Sequence, residues 1–349
     1  MDKKGMWIGP HYESRGGVAS VIKTYHENGF FDDSNILFIP TVEDGDKWTK
    51  FTRFLQAITI FIRNIRHAKF VHIHVSSDAS FFRKFIFMTV ARMRGMSIIV
   101  HLHSSSFPSF YQRSGSIGKK MIRSFFRNSS RILVLSDEMK TFVHSLDPVL
   151  DPVIFPNPVN YSGQSLNGHT PHAPYLLFLG RINPQKGLVE LLEAFKRVSL
   201  DYPTWKLVIG GSGEESFLDN EIRKRGIEAN VIRKGWVSGN EKDNLIREAA
   251  MLVLPSYGEG QSIAILEAMA AGLPVIATSV GGNTFIIDHM KSGILVPMGD
   301  TVALENAIRK LIEDPGLGRK IAAEAQEKIA AQFKYEKVRE QLLHIYHEK

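Results

Sequence analysis

Two carboxylates and two cations in the second half of the chain have the types and spacings that could do chemistry. Glu259 and Glu267 lie within LVLPSYGEGQSIAILEAMAAGLPVIATSVGG, residues 252–282, and Arg181 and Lys186 follow Gly180. At a helical rise the two acids stand on the order of 12 Å apart. That is too far to share one reacting centre, since paired carboxylates that cleave a glycoside with retention need about 5–5.5 Å. Between them lie Gly260, Gln261, Ser262 and Ile263, where unpaired amides and a helix dipole favour an anion, a phosphate above all. Two acids flanking an anion suit a long polyhydroxylated phosphate ester, with one acid for the hydroxyls at each end. A nucleotide sugar has this shape. Arg181 and Lys186 fit the same reaction: a diphosphate leaving group gains charge as its bond to the sugar breaks, so fixed cations stabilise the transition state more than the ground state.

The elements that must position these residues are legible as apolar runs. Residues 251–254 read as a buried strand, 274–278 as a second, with a short helix between them. Ser262 is expected to accept a hydrogen bond from the first-turn amides of that helix, Gly272 to take a left-handed stop, and Pro274 to forbid continuation. In a strand–loop–helix–strand unit of a parallel sheet, the loop sits at the carboxyl end of the strand, where open α/β sheets bind ligands. Further strands are expected at 175–180, 206–210 and 231–235, and in the first half at 6–9, 36–39, 71–75, 97–102 and 131–135. Helix-length stretches separate them. The alternation predicts two parallel, doubly wound Rossmann-like sheets. Pro148, Pro152, Pro156, Pro158 and the polar run 160–174 read as a linker. Gly16 and Gly17, after the first strand, would let backbone amides approach a phosphate. Gly210-Gly211-Ser212-Gly213 closes another strand, and a tight turn is its default reading.

Glu259-x7-Glu267, followed by Ala268-Met269-Ala270-x-Gly272-x-Pro274-Val275 and Gly281-Gly282, resembles the donor-site signature of retaining glycosyltransferase family 4, glycosyl transferases group 1. Gly180-Arg181-x4-Lys186-Gly187 resembles that family's basic motif, and Gly16-Gly17-Val18 its N-terminal glycine loop. The resemblance implies a GT-B fold, two Rossmann-like domains facing across a cleft. It places an acceptor domain at 1–165, a nucleotide-sugar domain at 166–334, and a helix at 335–349 that packs back on the first domain. It implies that Arg181 and Lys186 hold the donor diphosphate, that Glu267 binds the ribose and Glu259 the transferred sugar, and that the backbone at Gly260–Ile263 touches sugar or phosphate. His103 matches the family's N-domain histidine near the donor sugar, with His101 its rival in register. No metal or other cofactor is implied beyond the nucleotide diphosphate sugar as co-substrate, and the mechanism would be front-face. The chain departs from the pattern at Phe285, where many members carry an acid, and Asp288 lies further along.

Charge separates the two halves. Of 349 residues, the first 160 hold 21 Lys+Arg against 13 Asp+Glu, and the rest hold 22 against 23, so all of the +7 excess lies in the first half. It concentrates with aromatic residues at 47–69, 83–94 and 119–131. Over 47–69, Trp48, Phe51, Phe54, Leu55, Ile58, Ile62 and Ile65 recur at helical spacing, with Lys50, Arg53, Arg63 and Arg66 around them. That pattern suits either a core helix with a basic face or a helix in the headgroup layer of an anionic membrane; three such segments favour the membrane. No nucleic-acid motif accompanies the charge. There is no cysteine, which excludes disulfides and thiolate zinc sites. No signal-peptide core and no spanning segment are read, so a cytoplasmic protein, peripheral on the inner face of the cell membrane, is expected. Its acceptor would be a polyprenyl-diphosphate-linked saccharide of a bacterial surface polysaccharide. The pairs His72/His74 and His101/His103 each point to one face of a strand and could build a metal site, but buried strand-end histidines are the simpler reading. Asp44-Gly45-Asp46 reads as a solvated turn rather than a metal motif. A GT-B-fold nucleotide-sugar epimerase and a silent nucleotide-sugar-binding or scaffold subunit are the rival classes.

Overall fold

The structure, a computed structural model, describes residues 5–161 and 174–347. Its contacts divide the chain into two compact units, Met1–Pro158 with Tyr335–Lys349, and Val159–Lys334. The boundary expected at 165/166 lies outside the described residues, as does most of the expected linker 160–174.

The first unit holds a six-stranded parallel sheet: β1 (Gly5–Gly9), β2 (Ile36–Pro40), β3 (Phe70–Val75), β4 (Ser97–Leu102), β5 (Arg131–Val134) and β6 (Val153–Ile154), in the order β2-β1-β3-β4-β5-β6. Helices cover both faces, so its strands read as continuous apolar runs rather than alternating ones. The prolines of 148–158 are not a free linker. Within them β6 pairs with β5, Leu133 opposite Val153 and Val134 opposite Ile154, and Asn157 is buried behind it. A two-residue strand between prolines carries too little pattern to announce itself.

On one face of this sheet Phe81, Phe107 and Phe125 pack edge to face with their neighbours. On the other, Trp7 lies among Tyr25, Phe30, Phe31, His72 and His74. The final helix, Tyr335–His347, is pinned to this face through one hydroxyl. Trp7 Nε1 donates to Tyr346 Oη at 2.6 Å, and the same oxygen is 2.6 Å from His72 Nδ1.

The second unit repeats the plan with β7 (Tyr175–Leu179), β8 (Lys206–Gly210), β9 (Val231–Gly235), β10 (Met251–Leu254), β11 (Val275–Thr278) and β12 (Ile294–Val296), ordered β12-β11-β10-β7-β8-β9. All pairings are parallel. β12 is a three-residue edge strand that sequence patterning does not reveal. The strand order reverses between β7 and β10, which opens a crevice outside their carboxyl ends. The first unit has its own reversal between β1 and β3.

The basic segment at 47–69 forms the helix Lys47–Asn64, capped by Asp46, whose side chain accepts from Thr49 N at 2.8 Å. Asp44 accepts from Arg15 N at 2.9 Å, so both acids of the Asp44-Gly45-Asp46 turn serve the backbone. The apolar residues of this helix do not form one face. Ala57 and Phe61 enter the core, whereas Trp48 (69% exposed), Phe51 (49%), Leu55 (46%) and Ile62 (52%) stand in solvent. Among the described residues no helix is long and apolar enough to cross a membrane.

Candidate functional site

The second unit's reversal point is where its charged residues gather. Gly180 continues the β7–β8 ladder through Gly180 N to Gly210 O, 3.0 Å, and the chain then leaves the sheet as Arg181–Lys186. A single turn of 3₁₀ helix, Pro184–Lys186, ends at Gly187, which takes φ +66 and starts the helix Leu188–Asp201. Only glycine fits there, because a Cβ would lie 1.9 Å from the carbonyl oxygen of Pro255. The loop after β7 thereby rests directly on the loop after β10, and Tyr257 N donates to Gln185 O at 2.9 Å.

The loop after β10 is held equally from the other side. Gly282 N donates to Glu259 O at 3.1 Å, and a Cβ on Gly282 would stand 1.5 Å from Gly260 O. Three loops thus converge at the carboxyl ends of β7, β10 and β11 with their backbones in contact. This packing aims the side chains. Lys186 Nζ lies 2.5 Å from Glu259 Oε1, and Ser256 Oγ donates to the same oxygen at 2.7 Å. Glu259 is buried and Lys186 half-buried, so their attraction is less screened than that of a surface pair. Arg181, at the start of the same loop, is exposed and makes no ion pair among the described residues.

The helix Ile263–Ala270 begins at this loop. Ser262 occupies its N-cap position but makes no side-chain cap hydrogen bond, which corrects the expectation drawn from its residue type. No acid sits in the first turn either. The positive end of the helix therefore keeps its capacity for an anion beside Gly260, Gln261 and Ile263. Gln261 and Ser262 are buried at this end. Glu267, one turn further on, is 2.6 Å from Lys242 Nζ on the helix Gly239–Glu248. Lys242 was not anticipated, since nothing at its own position in the sequence marks it and its partner lies 25 residues away. Phe285 packs edge-on against Phe333 at 5.8 Å, and the Asp288 carboxylate pairs with Lys328 at 2.9 Å.

Gly16, Gly17 and His103 belong to the first unit. Gly16 (φ +138) is the N-cap of the helix Gly17–Glu27, and a Cβ at either glycine would meet nothing within 4 Å. His103 follows β4, is half-buried, and shares a hydrogen bond with His74, Nε2 to Nδ1 at 2.8 Å. Burial pushes its pKa down to about 3, so it is a neutral imidazole at neutral pH. His101 is 2% exposed and lies inside the unit, which leaves His103 as the more accessible of the two rivals.

His72, His74 and His101 bring ring nitrogens within 4.8 Å of one another. Burial, and then the neighbouring histidines, lower all three pKa values well below the usual range. His72 stacks on both of the others, however, 21° from parallel with His74 and 16° with His101, while His74 and His101 are tilted by 36°. In-plane lone pairs of stacked rings run side by side, whereas tetrahedral zinc needs them to converge. The cluster is a neutral aromatic layer continuous with Trp7. Lys84 is a second unanticipated group: it is 1% exposed, donates to the Thr41 hydroxyl, and burial lowers its pKa to about 7.

Residues 167–328 match the family model described as glycosyl transferases group 1. An uncharacterized glycosyltransferase of Methanocaldococcus jannaschii is 31% identical over 172 residues, 49% of this chain and 44% of that protein. The chain thus spans less than half of that relative's length. The UDP-Gal:alpha-D-GlcNAc-diphosphoundecaprenol alpha-1,3-galactosyltransferase of Escherichia coli is 26% identical over 309 residues, 82% of this chain and 77% of that protein. The solved structure of Anabaena Alr3699/HepE with UDP-glucose covers 98% of this chain and 98% of its own, at a TM-score of 0.75 and 17% identity, a likeness of fold.

Proposed function

We propose, for a chain whose residues 167–328 match the glycosyl transferases group 1 model and whose fold is GT-B, that it moves a hexose from a UDP- or GDP-linked sugar to a lipid-linked saccharide, with retention of configuration. The observation that carries this reading is the Lys186–Glu259 contact, 2.5 Å long, at the reversal point between β7 and β10. It sets a cation for the diphosphate and a carboxylate for sugar hydroxyls side by side before any ligand arrives. Arg181, exposed on the same loop and without an ion pair among the described residues, adds the second cation. The helix at Ile263–Ala270 offers its amides to phosphate, and Glu267 the ribose contact.

The step is a front-face displacement. The bond from the anomeric carbon to the diphosphate oxygen breaks, and the acceptor oxygen bonds to the same face of that carbon. The acceptor proton passes to a donor phosphate oxygen, and the nucleoside diphosphate leaves. Arg181 and Lys186 stabilise the growing negative charge, the role a divalent cation would otherwise fill. His103, neutral, orients the sugar by hydrogen bonding.

The acceptor class is supported by the Escherichia coli relative, whose name specifies a diphosphoundecaprenol-linked acceptor, and the donor class by the Anabaena complex with UDP-glucose. The exposed stripe Trp48, Phe51, Leu55 and Ile62, in a unit with an excess of basic residues, suits docking on the inner face of an anionic membrane. The test is product analysis. Purified protein, UDP- and GDP-hexoses and a polyprenyl-diphosphate-linked saccharide should yield a glycosylated lipid with the donor's anomeric configuration, in EDTA as in Mg²⁺. Conversion of the donor without acceptor would instead make the chain an epimerase, and failure to bind any donor would make it a scaffold.

A further inference from the structure

A pocket of about 500 Å³ opens at the amino ends of β3 and β4, lined by Ile65, Arg66, Lys69, Arg94 and Met96. It lies at the opposite end of the sheet from Gly16 and His103. Two turns build it, one leading from the helix Lys47–Asn64 into β3, the other from the helix Ala79–Met93 into β4. Ser97 N to Lys69 O, 3.3 Å, ties them together. No acidic residue lines the pocket, and Arg66, Lys69 and Arg94 are all exposed and make no ion pair among the described residues.

The simplest account of cations here is that they complement the two helix C-termini that end at the pocket. The magnitudes do not balance. Each C-terminus carries about half a negative charge, so two offset roughly one of the three cations. About two positive charges remain, more than enough to hold the single negative charge of a phosphodiester headgroup. The surroundings then select its source. Ile62, 52% exposed, precedes Arg66 by one turn, and Met93, 81% exposed, adjoins Arg94. The pocket thus terminates the exposed apolar stripe that starts at Trp48. A soluble phosphate has no use for apolar neighbours, whereas a lipid headgroup brings its acyl chains beside them.

We propose that Arg66, Lys69 and Arg94 form a binding site for the headgroup phosphate of an anionic glycerophospholipid. This rests on the membrane-docking reading and deepens it: the stripe enters the headgroup layer while the pocket holds one lipid, fixing the first unit's orientation on the surface.

The test is sedimentation of the full chain with phosphatidylcholine vesicles with and without phosphatidylglycerol, at low salt. A variant carrying Arg66→Gln, Lys69→Gln and Arg94→Gln is set against one with the same charge change in the second unit, Lys224→Gln, Lys310→Gln and Lys320→Gln. The site variant should bind phosphatidylglycerol vesicles about a hundredfold more weakly than the unchanged chain, and the control within about threefold. Equal losses in the two variants, or an intact site variant, overturn the site and leave the docking face standing. A third variant, Trp48→Ser with Phe51→Ser, reports on the docking face separately. If the unchanged chain binds no vesicle, docking itself falls and with it this occupant. Inorganic phosphate whose phosphorus NMR line broadens with the unchanged chain but not with the site variant would then reassign the pocket to a free anion.

Discussion

The two units share a six-stranded parallel plan yet place their charges in opposite ways. In the second unit, two acids near the sheet's carboxyl end are paired, Glu259 with Lys186 between loops and Glu267 with Lys242 between helices, at 2.5 and 2.6 Å. In the first, the buried titratable groups are neutral rings and one lysine, and the cations around the pocket at β3 and β4 make no ion pair among the described residues. Pre-paired charges suit a small ligand that exchanges one partner for another without leaving a buried charge bare. Unpaired surface cations suit an extended anionic surface, where each adds its own increment. In the proposed function the same fold serves two kinds of partner through where its ionic groups find their counterions.

Acid should separate the units most strongly. His72, His74, His101 and His103 have folded pKa values below the unfolded value near 6.5, so the unfolded chain takes up protons first as pH falls. Their effect is absent above about pH 6.5 and grows below it, costing roughly 2 kcal/mol per histidine by pH 5. Lys84, held near 7, acts in the same direction, since its folded form releases its proton before the unfolded one as pH rises toward 10. Calorimetry from pH 7.5 to 5 should show the first unit's transition moving down and away from that of the second. A common shift of both would break the contrast.

Next in size, Lys186→Ala and Glu259→Ala should each lower kcat/KM by roughly a hundred- to a thousandfold. Because the side chains act as a pair, the double variant should lose much less than the product of the two. Strict multiplicativity would show that they work independently.

Tyr346→Phe removes the hydroxyl that satisfies both Trp7 Nε1 and His72 Nδ1. Urea unfolding should show a loss of about 1–3 kcal/mol, the cost of a buried donor without an acceptor. No loss would mean that the last helix is held by packing alone. Smallest of all, Gly17→Ala should leave stability unchanged or raise it by about 0.4–1 kcal/mol, since its Cβ meets nothing and its φ suits alanine. If Gly17 lets a phosphate approach its amide, donor affinity should nonetheless fall, and unchanged affinity would remove this loop from the site.

Much of this organisation was legible in residue pattern. Apolar runs located β1 to β5, β7, β8, β10 and β11 within a residue or two, because strands buried between helices are largely apolar, and the exposed edge strand β9 (VIRKG) was found from its place between helix-length stretches. β6 and β12 escaped since two and three residues hold no period. The helix Lys47–Asn64 was legible as a helix but not in its orientation: apolar residues cover too much of its circumference for spacing to say which stripe, Phe61's or Trp48's, meets the core. In the site, Glu259 and Lys186 were found through motif spacing. Lys242 and Lys84 were not, because their partners are distant in sequence and only the packed sheet brings them together. Ser262 shows the converse, a residue type suited to capping that the loop geometry leaves out of the cap.

The most direct measurement is thermal stabilisation of the purified chain by a panel of nucleoside diphosphates and nucleotide sugars, with Arg181→Ala and Glu267→Ala alongside. A true donor at about 100 times its dissociation constant should add roughly 2.7 kcal/mol of stability. The account predicts that one nucleotide series stabilises the unchanged chain in EDTA, that each variant loses most of the effect, and that the second unit's transition is the one that moves. Stabilisation by none of the panel, or stabilisation that survives both substitutions, would contradict it.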